Sequence, residues 1–387
     1  MKFNLFLFLV FYNSLLFCQN TNEFSVVDQK MDEIPTQLTK STSTIANYIN
    51  QNFTTPEEKI RAAFYWTASN ISYDVENMFN IPKNLTSKEK IDTALASRKG
   101  VCMHYSEVFA SINNQLNIPT VLIEGYTKNK GKVDAVSHVW CAAKINNQWS
   151  LYDPTWGSGY VNEQKYYKKL NNFYFNTDPK ELILNHMPFD YIWQLLEFPI
   201  NNQEFYDGKI ASSNATVPFD FNAEITAFEK LQKKERCIAL LARIKKSGVK
   251  NNMITERCEL LEKEIENYNQ NEKGVVFLTI AENMNKTSKQ FNEYVKYRNN
   301  RFMPAVSDAE LKSKTQNLLT QINQCESDIN ALTNVNRDNI QNVNSLKKAI
   351  GELKKLILEQ DTFVNHYLSK SAEERPKMFV KTVIKRR

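Results

Sequence analysis

The sequence predicts an α+β fold, helices packed on an antiparallel sheet, followed by an all-α domain built around an antiparallel helical hairpin. Three observations support this. All five Trp and all but two Pro (Pro304 and Pro376) lie before residue 224, and only Gly248, Gly274 and Gly351 follow it. The first half mixes helical and two-residue hydrophobic periods, with helices preceding strands. The second half repeats apolar residues at alternating three- and four-residue steps. A length of 387 residues predicts two or three domains, each able to bury a core. Hydrophobic content of 42% with 24% charged residues excludes wholesale disorder, and a net charge of +6 is too small to argue for nucleic-acid binding.

The chain opens MKFNLFLFLVFYNSLLFCQN, with Lys2 ahead of an apolar run from Phe3 to Phe17. That run is shorter than the ~20 residues a membrane-spanning helix needs. Residues 1–19 therefore read as a secretory signal peptide, with a retained anchor as the alternative. Cys18 follows the bulky Phe17, where a lipidated Cys would follow a small residue. Export implies a secreted, periplasmic or surface-attached protein and permits disulfides. Cys102, Cys141, Cys237, Cys258 and Cys325 are odd in number, so at least one thiol is left over. Cys237 and Cys258 lie on successive expected helices about Gly248, and a bridge between them is left open.

The expected domains are residues 20–209, a linker at 210–223 containing ASSNATVP, and a basic, coiled-coil-like helical domain at 224–387. In the first, Pro56, Glu57 and Glu58 open a helix over Ile60–Ile71, and a second helix runs Val101–Asn117 and stops before Pro119. Strands are expected at Thr120–Thr127, Ala135–Ile145 and Gln148–Asp153, the last two joined by the turn residues Asn146 and Asn147. Beyond the linker, helices are expected at Thr226–Lys246 and Asn252–Tyr268. Ser307 and Glu310 then form a capping box. Leu311, Leu318, Ile322, Cys325 and Ile329 make one stripe, and Val343, Leu346, Ile350, Leu353 and Ile357 the other, joined near Asn334–Asn339. These stripes are core by default.

Three residues converge by geometry. Cys102 opens a helix after Gly100 and Val101, where unpaired backbone N–H groups and the helix dipole favour a thiolate. Gly100 is expected to permit the sharp turn that exposes the sulfur. A two-residue hairpin pairs Ile145 with Gln148, hence Trp140 with Asp153 and His138 with Thr155. Alternation then puts His138, Trp140 and Asp153 on one face, with His138 and Asp153 diagonal neighbours. A carboxylate on one imidazole nitrogen, with the other left for a thiol, is the arrangement of cysteine catalysis.

With these residues, the sequence resembles the transglutaminase-like superfamily, and within it the kyphoscoliosis-peptidase-like branch. RKGVCMHYSEVFASINNQLNIPTVLIEGY resembles the nucleophile helix and following strand, and SHVWCAAKINNQWSLYDPTWGSG the strands carrying His and Asp. EKIRAAFYWTASNISYD and NFYFNTDPKELILNHMPFDYIWQLL resemble the preceding helix and the continuation, so the likeness spans Val26 to Phe198. It implies a papain/transglutaminase-like core with a Cys–His–Asp triad at Cys102, His138 and Asp153. It also implies acyl transfer at an amide or peptide bond through a thioester. One departure is Cys141, where the family carries a polar residue. By alternation it points away from His138 and is expected to pack. The backbone N–H of Cys102 is one oxyanion donor. A second is not legible, and Trp66 reads as core.

Cys102, His104, His138 and Cys141 formally offer four zinc ligands, but residues two apart on a helix diverge, and His138 and Cys141 face opposite sides of a strand. No metal or cofactor is therefore expected. His104 reads as a site-flanking or exposed polar residue, His186 as a structural hydrogen-bonder, and His366 has no nameable partner. The functional expectation is an exported cysteine hydrolase acting on a protein or peptide. Hydrolysis is favoured over cross-linking because nothing suggests a calcium loop. The alternative is a non-catalytic scaffold that uses the helical domain for contacts. Basic residues outnumber acidic ones beyond residue 223, ending in the tail Lys377–Arg387, KMFVKTVIKRR. This points the charge toward an anionic envelope surface or an acidic protein partner, with no nucleic acid.

Overall fold

The computed structural model describes residues 24–379 apart from 81, 83 and 213–215. The expected signal peptide at 1–19, with Cys18, lies outside the described residues, as does the tail beyond residue 379. The chain divides into two units, residues 1–260 and 261–387.

Helix α1 (Ser25–Asp32) is pinned by its Asp28, whose carboxylate takes a two-pronged ion pair from the buried Arg61 at 2.7 and 2.6 Å. Helix α2 (Thr42–Asn52) and α3 (Pro56–Asn70) follow. In α3, Thr55 and Glu58 form a reciprocal capping box and Pro56 takes the first turn, where its missing N–H costs nothing. Strand β1 (Ser72–Tyr73) leads to α4 (Ser87–Ser97), which ends at Arg98 with φ of 55°. Strand β2 (Lys99–Gly100) then pairs in parallel with β1, Tyr73 lying opposite Gly100. Helix α5 (Cys102–Gln115) begins two residues later.

The main sheet comprises β3 (Thr120–Asn129), β4 (Lys132–Ile145), β5 (Gln148–Tyr152) and a late strand, all antiparallel. Asn146 and Asn147 have φ of 48° and 65°, the doubly left-handed turn that a two-residue hairpin needs. Pairing therefore runs from Ile145↔Gln148 to Cys141↔Tyr152, as the turn predicts. It stops there. Asp153 caps the short helix α6 (Pro154–Ser158), so Thr155 is not opposite His138 in a strand. A small hairpin, β6 (Gly159–Asn162) and β7 (Lys165–Lys168), precedes the short helix α7 (Pro179–Leu182). The late strand, β8 (His186–Pro188), adds to β3 and completes the order β5-β4-β3-β8. Helix α5 packs beneath the sheet, with Trp66, Tyr105, Phe109 and Trp140 in one core.

Two expectations need correction. The helix expected at Thr226–Lys246 is two helices, and they belong to the first unit. After the short α8 (Asn202–Tyr206), α9 (Phe221–Lys230) buries Ile225 in the core of that unit. Helix α10 (Lys233–Ser247) restarts after Leu231, with Glu235 accepting the Gln232 N–H, and Arg236 Nε bonding the Leu231 carbonyl at 2.9 Å. Second, the units divide within α11 (Asn252–Asn299), a helix of 48 residues, and not at the expected linker 210–223. Periodicity records that a helix exists but not which core it joins.

In the second unit, α12 (Asp308–Ala331) and α13 (Arg337–Leu368) form the expected hairpin. Thr315 bonds Asp361 at 2.6 Å, and Lys354 pairs with Glu326 at 2.6 Å, a register only antiparallel helices give. Ile322, Ile329, Ile350 and Ile357 fill the seam together with Ile280 and Phe291 of α11. No described helix is long and apolar enough to cross a membrane.

Arg243 of α10 grips the buried Asp190 at 2.7 and 2.8 Å. Removing the guanidinium strands a buried carboxylate, so Arg243→Ala should lower the stability of the first unit by about 3–5 kcal/mol. All five Trp lie in that unit, so urea unfolding followed by tryptophan fluorescence reads it selectively. A loss below about 1 kcal/mol would show that α10 is only loosely held.

Candidate active site

Cys102 is the first residue of α5, where a helix leaves backbone N–H groups without intrahelical acceptors. The turn before it is built differently from the expectation. Gly100 does not adopt a left-handed conformation; a Cβ there would lie 2.6 Å from the Cβ of His104, so glycine provides room. Of the two expectations for His104, a site-flanking or an exposed residue, the structure has the first: it is buried beside Cys102, and its Nδ1 accepts the Val101 N–H at 3.1 Å. It thus serves as a cap for the turn that presents Cys102.

Strand β4 carries His138 and the end of β5 carries Asp153, and the two meet at 2.7 Å between Nε2 and Oδ2. Engagement of Nε2 leaves Nδ1 for the thiol, and Cys102 lies close enough to contribute to the electrostatics of the ring. Trp140 stacks on the imidazole at 6.0 Å between ring centres and Trp156 flanks it at 5.9 Å, so the ring has little freedom to turn. Burial alone would lower the His138 pKa. The charge and hydrogen bond of Asp153, with a share from Cys102, outweigh that and raise it from 6.5 to about 10. Asp153 is fully buried, and burial opposes its ionisation. The His138 charge and the hydrogen bonds from two histidines prevail and hold the carboxyl well below its usual range.

The second histidine is His186, whose Nε2 reaches the same Oδ2 at 3.0 Å. Oδ1 accepts the backbone N–H groups of Thr155 at 2.8 Å and Trp156 at 3.1 Å. Burial lowers the His186 pKa, which favours a neutral ring that donates from Nε2. Its Nδ1 then needs a donor, so the Asn185 amide that faces it must present its NH₂ group. Sequence reasoning gave His186 a structural hydrogen bond but not this partner. The only cue is that β8 pairs with β3, Thr127 opposite His186, and nothing local announces that pairing.

The ligand atoms of His138, Asp153 and His186 all lie within 4.8 Å of one another, so these three could hold a metal ion. Their separations are those of hydrogen bonds, and one carboxylate oxygen serves both rings. The four-residue zinc set weighed above is not assembled. His104 points at the Val101 amide, and the fully buried Cys141 thiol meets the Ser106 carbonyl at 3.6 Å. Trp66 is completely buried with Arg98 5.0 Å from its ring, and His366 is exposed on α13.

Cys102 and His138 open onto a cleft of about 800 Å³ whose walls include Tyr73, Val136, Trp156 and Tyr160. Asp153 and His186 lie behind it.

Residues 43–154 match the model of the transglutaminase-like superfamily.

Curated proteins similar to this chain include two kyphoscoliosis peptidases. Kyphoscoliosis peptidase of Mus musculus is 29% identical over 187 residues, 46% of this chain and 28% of that protein. The Homo sapiens counterpart is 28% identical over 187 residues, with the same shares. The chain thus spans little more than a quarter of the length of these relatives. A solved structure described as that of a TGase is 19% identical, covering 62% of this chain and 54% of that one, with a TM-score of 0.26.

The His138–Asp153 pair stabilises the fold in a defined pH window. The His138 share is fully present below 6.5 and is lost as pH rises through about 10. The Asp153 share is present above the ordinary 3.8 and is lost as pH falls. Asp153→Asn should therefore cost most stability between about pH 4 and 6.5, with the cost shrinking steadily toward about pH 10. Urea unfolding of both proteins across this range measures it, and a pH-independent difference would refute a charged pair.

Proposed function

We propose that the transglutaminase-like domain is a cysteine enzyme that cleaves amide or peptide bonds by acyl transfer to Cys102. One observation carries this reading: a cleft-facing thiol at a helix start beside an imidazole whose far nitrogen is held by a buried carboxylate. In the resting site Asp153 holds His138 as an imidazolium that carries the proton given up by the thiol, and Sγ attacks the carbonyl carbon as a thiolate. Collapse of the adduct breaks the C–N bond, and His138 gives the proton to the departing amine. A water that loses its proton to His138 then hydrolyses the thioester and restores the thiolate. Asp153 keeps the proton on Nε2 and stabilises the imidazolium.

The proposed substrate is a protein or peptide, which accords with the peptidase named among the relatives. Export through residues 1–19 would put it outside the cytoplasm, and the basic region at 224–387 would contact an anionic envelope surface or acidic protein. A scaffold function remains the competing reading, and catalysis is favoured because a scaffold gives no reason to bury Asp153 behind His138 and Cys102.

The test uses p-nitrophenyl acetate, which needs no knowledge of the natural substrate. The wild type should gain an acetyl group on the Cys102 peptide, by mass spectrometry, together with release of p-nitrophenolate. Cys102→Ala should abolish both, and His138→Ala should slow acylation by about 10²- to 10⁴-fold. Acetylation of Cys237 or Cys325 as fast as Cys102 would rule out an activated nucleophile.

A further inference from the structure

Attack on a carbonyl leaves negative charge on its oxygen, and an enzyme that does this needs donors aimed at it. The start of α5 offers the backbone N–H of Cys102. We propose that the hydroxyl of Tyr73 is the second donor, a catalytic residue that hydrogen-bonds the oxyanion formed when Cys102 adds to the substrate. This rests on the acyl-transfer reading above.

The placement begins with the backbone. Tyr73 lies opposite Gly100 in the β1–β2 pair, two residues before the nucleophile. The bonds Ser72 N–H to Arg98 carbonyl, 2.8 Å, and Asp74 N–H to Gly100 carbonyl, 3.0 Å, clamp both sides of Tyr73 to the strand that feeds α5. Its side chain lines the same cleft as Cys102 and His138. Tyr73 and Cys102 are therefore held by one short backbone ladder, which is the preorganisation that such a donor requires.

The state of the phenol fits the role. It is half-buried and makes no hydrogen bond to another described residue. Tyr105 and Tyr166, nearby, spend their hydroxyls on the Ile71 and Ser158 carbonyls. Burial first, and then the charges of Cys102 and Asp153, raise the Tyr73 pKa, which keeps the proton on the oxygen as a donor. Other candidates are placed less well. Trp66 Nε1 lacks a partner but is sealed in the core, and the Thr155 hydroxyl at the cleft wall is also closed to solvent.

In the step itself Sγ bonds to the carbonyl carbon, and the π pair of the C=O bond moves onto oxygen. Tyr73 donates a hydrogen bond to that oxygen and keeps its proton throughout. The proton in transit is the one on His138.

Two reactions of Cys102 separate this role from a structural one. Acylation by p-nitrophenyl acetate passes through an oxyanion, whereas alkylation by iodoacetamide displaces iodide at a tetrahedral carbon and forms none. Tyr73→Phe in the full chain should slow acylation by on the order of 10²-fold and leave alkylation of Cys102 within about twofold of wild type. Unchanged acylation, or a parallel fall in both rates, would overturn the proposal. A wild-type protein that alkylates at Cys102 but shows no acylation would instead overturn acyl transfer, and the donor role with it.

Discussion

The site depends on one buried charge. Asp153 is completely excluded from solvent, and an unpaired carboxylate there would be too costly to keep ionised. Four hydrogen bonds offset that cost, two from imidazoles onto Oδ2 and two from backbone N–H groups onto Oδ1. The same residue ends β5, caps α6 and orients His138. Pro154 enforces the change of direction because it fits the first turn of a helix and cannot donate to a sheet.

That change of direction also shapes the cleft. Beyond Cys141↔Tyr152 no described strand pairs with β4 on the β5 side. The stretch Asp134–His138 therefore lines an opening where a further strand could have continued. Behind it, His186 closes the far side of the carboxylate and packs on Trp156 at 4.6 Å between ring centres. The imidazole that faces the thiol is thus held by an acid, two indoles and a second histidine. Its precision comes from packing behind the cleft rather than from the cleft itself.

The second unit has a core of its own, in which α12 and α13 interlock through branched aliphatics and α11 adds Ile280 and Phe291. Helices α9 and α10 look similar in sequence yet serve the first unit, because Ile225 and Arg243 find their partners there. Such allegiance rests on a single buried ion pair and a few apolar side chains. Composition does not reveal it.

Much of the site was legible because its signals are local. The doubly left-handed Asn146–Asn147 turn sets the β4–β5 register, and two-residue alternation then brings His138 to Asp153. The glycine-preceded helix start marks Cys102, and the heptad stripes mark the hairpin. Three things were not legible, each for the same reason. His186 reaches Asp153 through the pairing of β8 with β3, Tyr73 reaches the cleft through its pairing with Gly100, and the unit boundary falls within a continuous helix. The sequence by itself determined that Cys102, His138 and Asp153 are the candidate site residues and which elements bear them, since periodicity, caps and turns act over a few residues. Only the tertiary structure decided what surrounds that chemistry, since the partners that fix a buried charge come from distant segments and are chosen by packing.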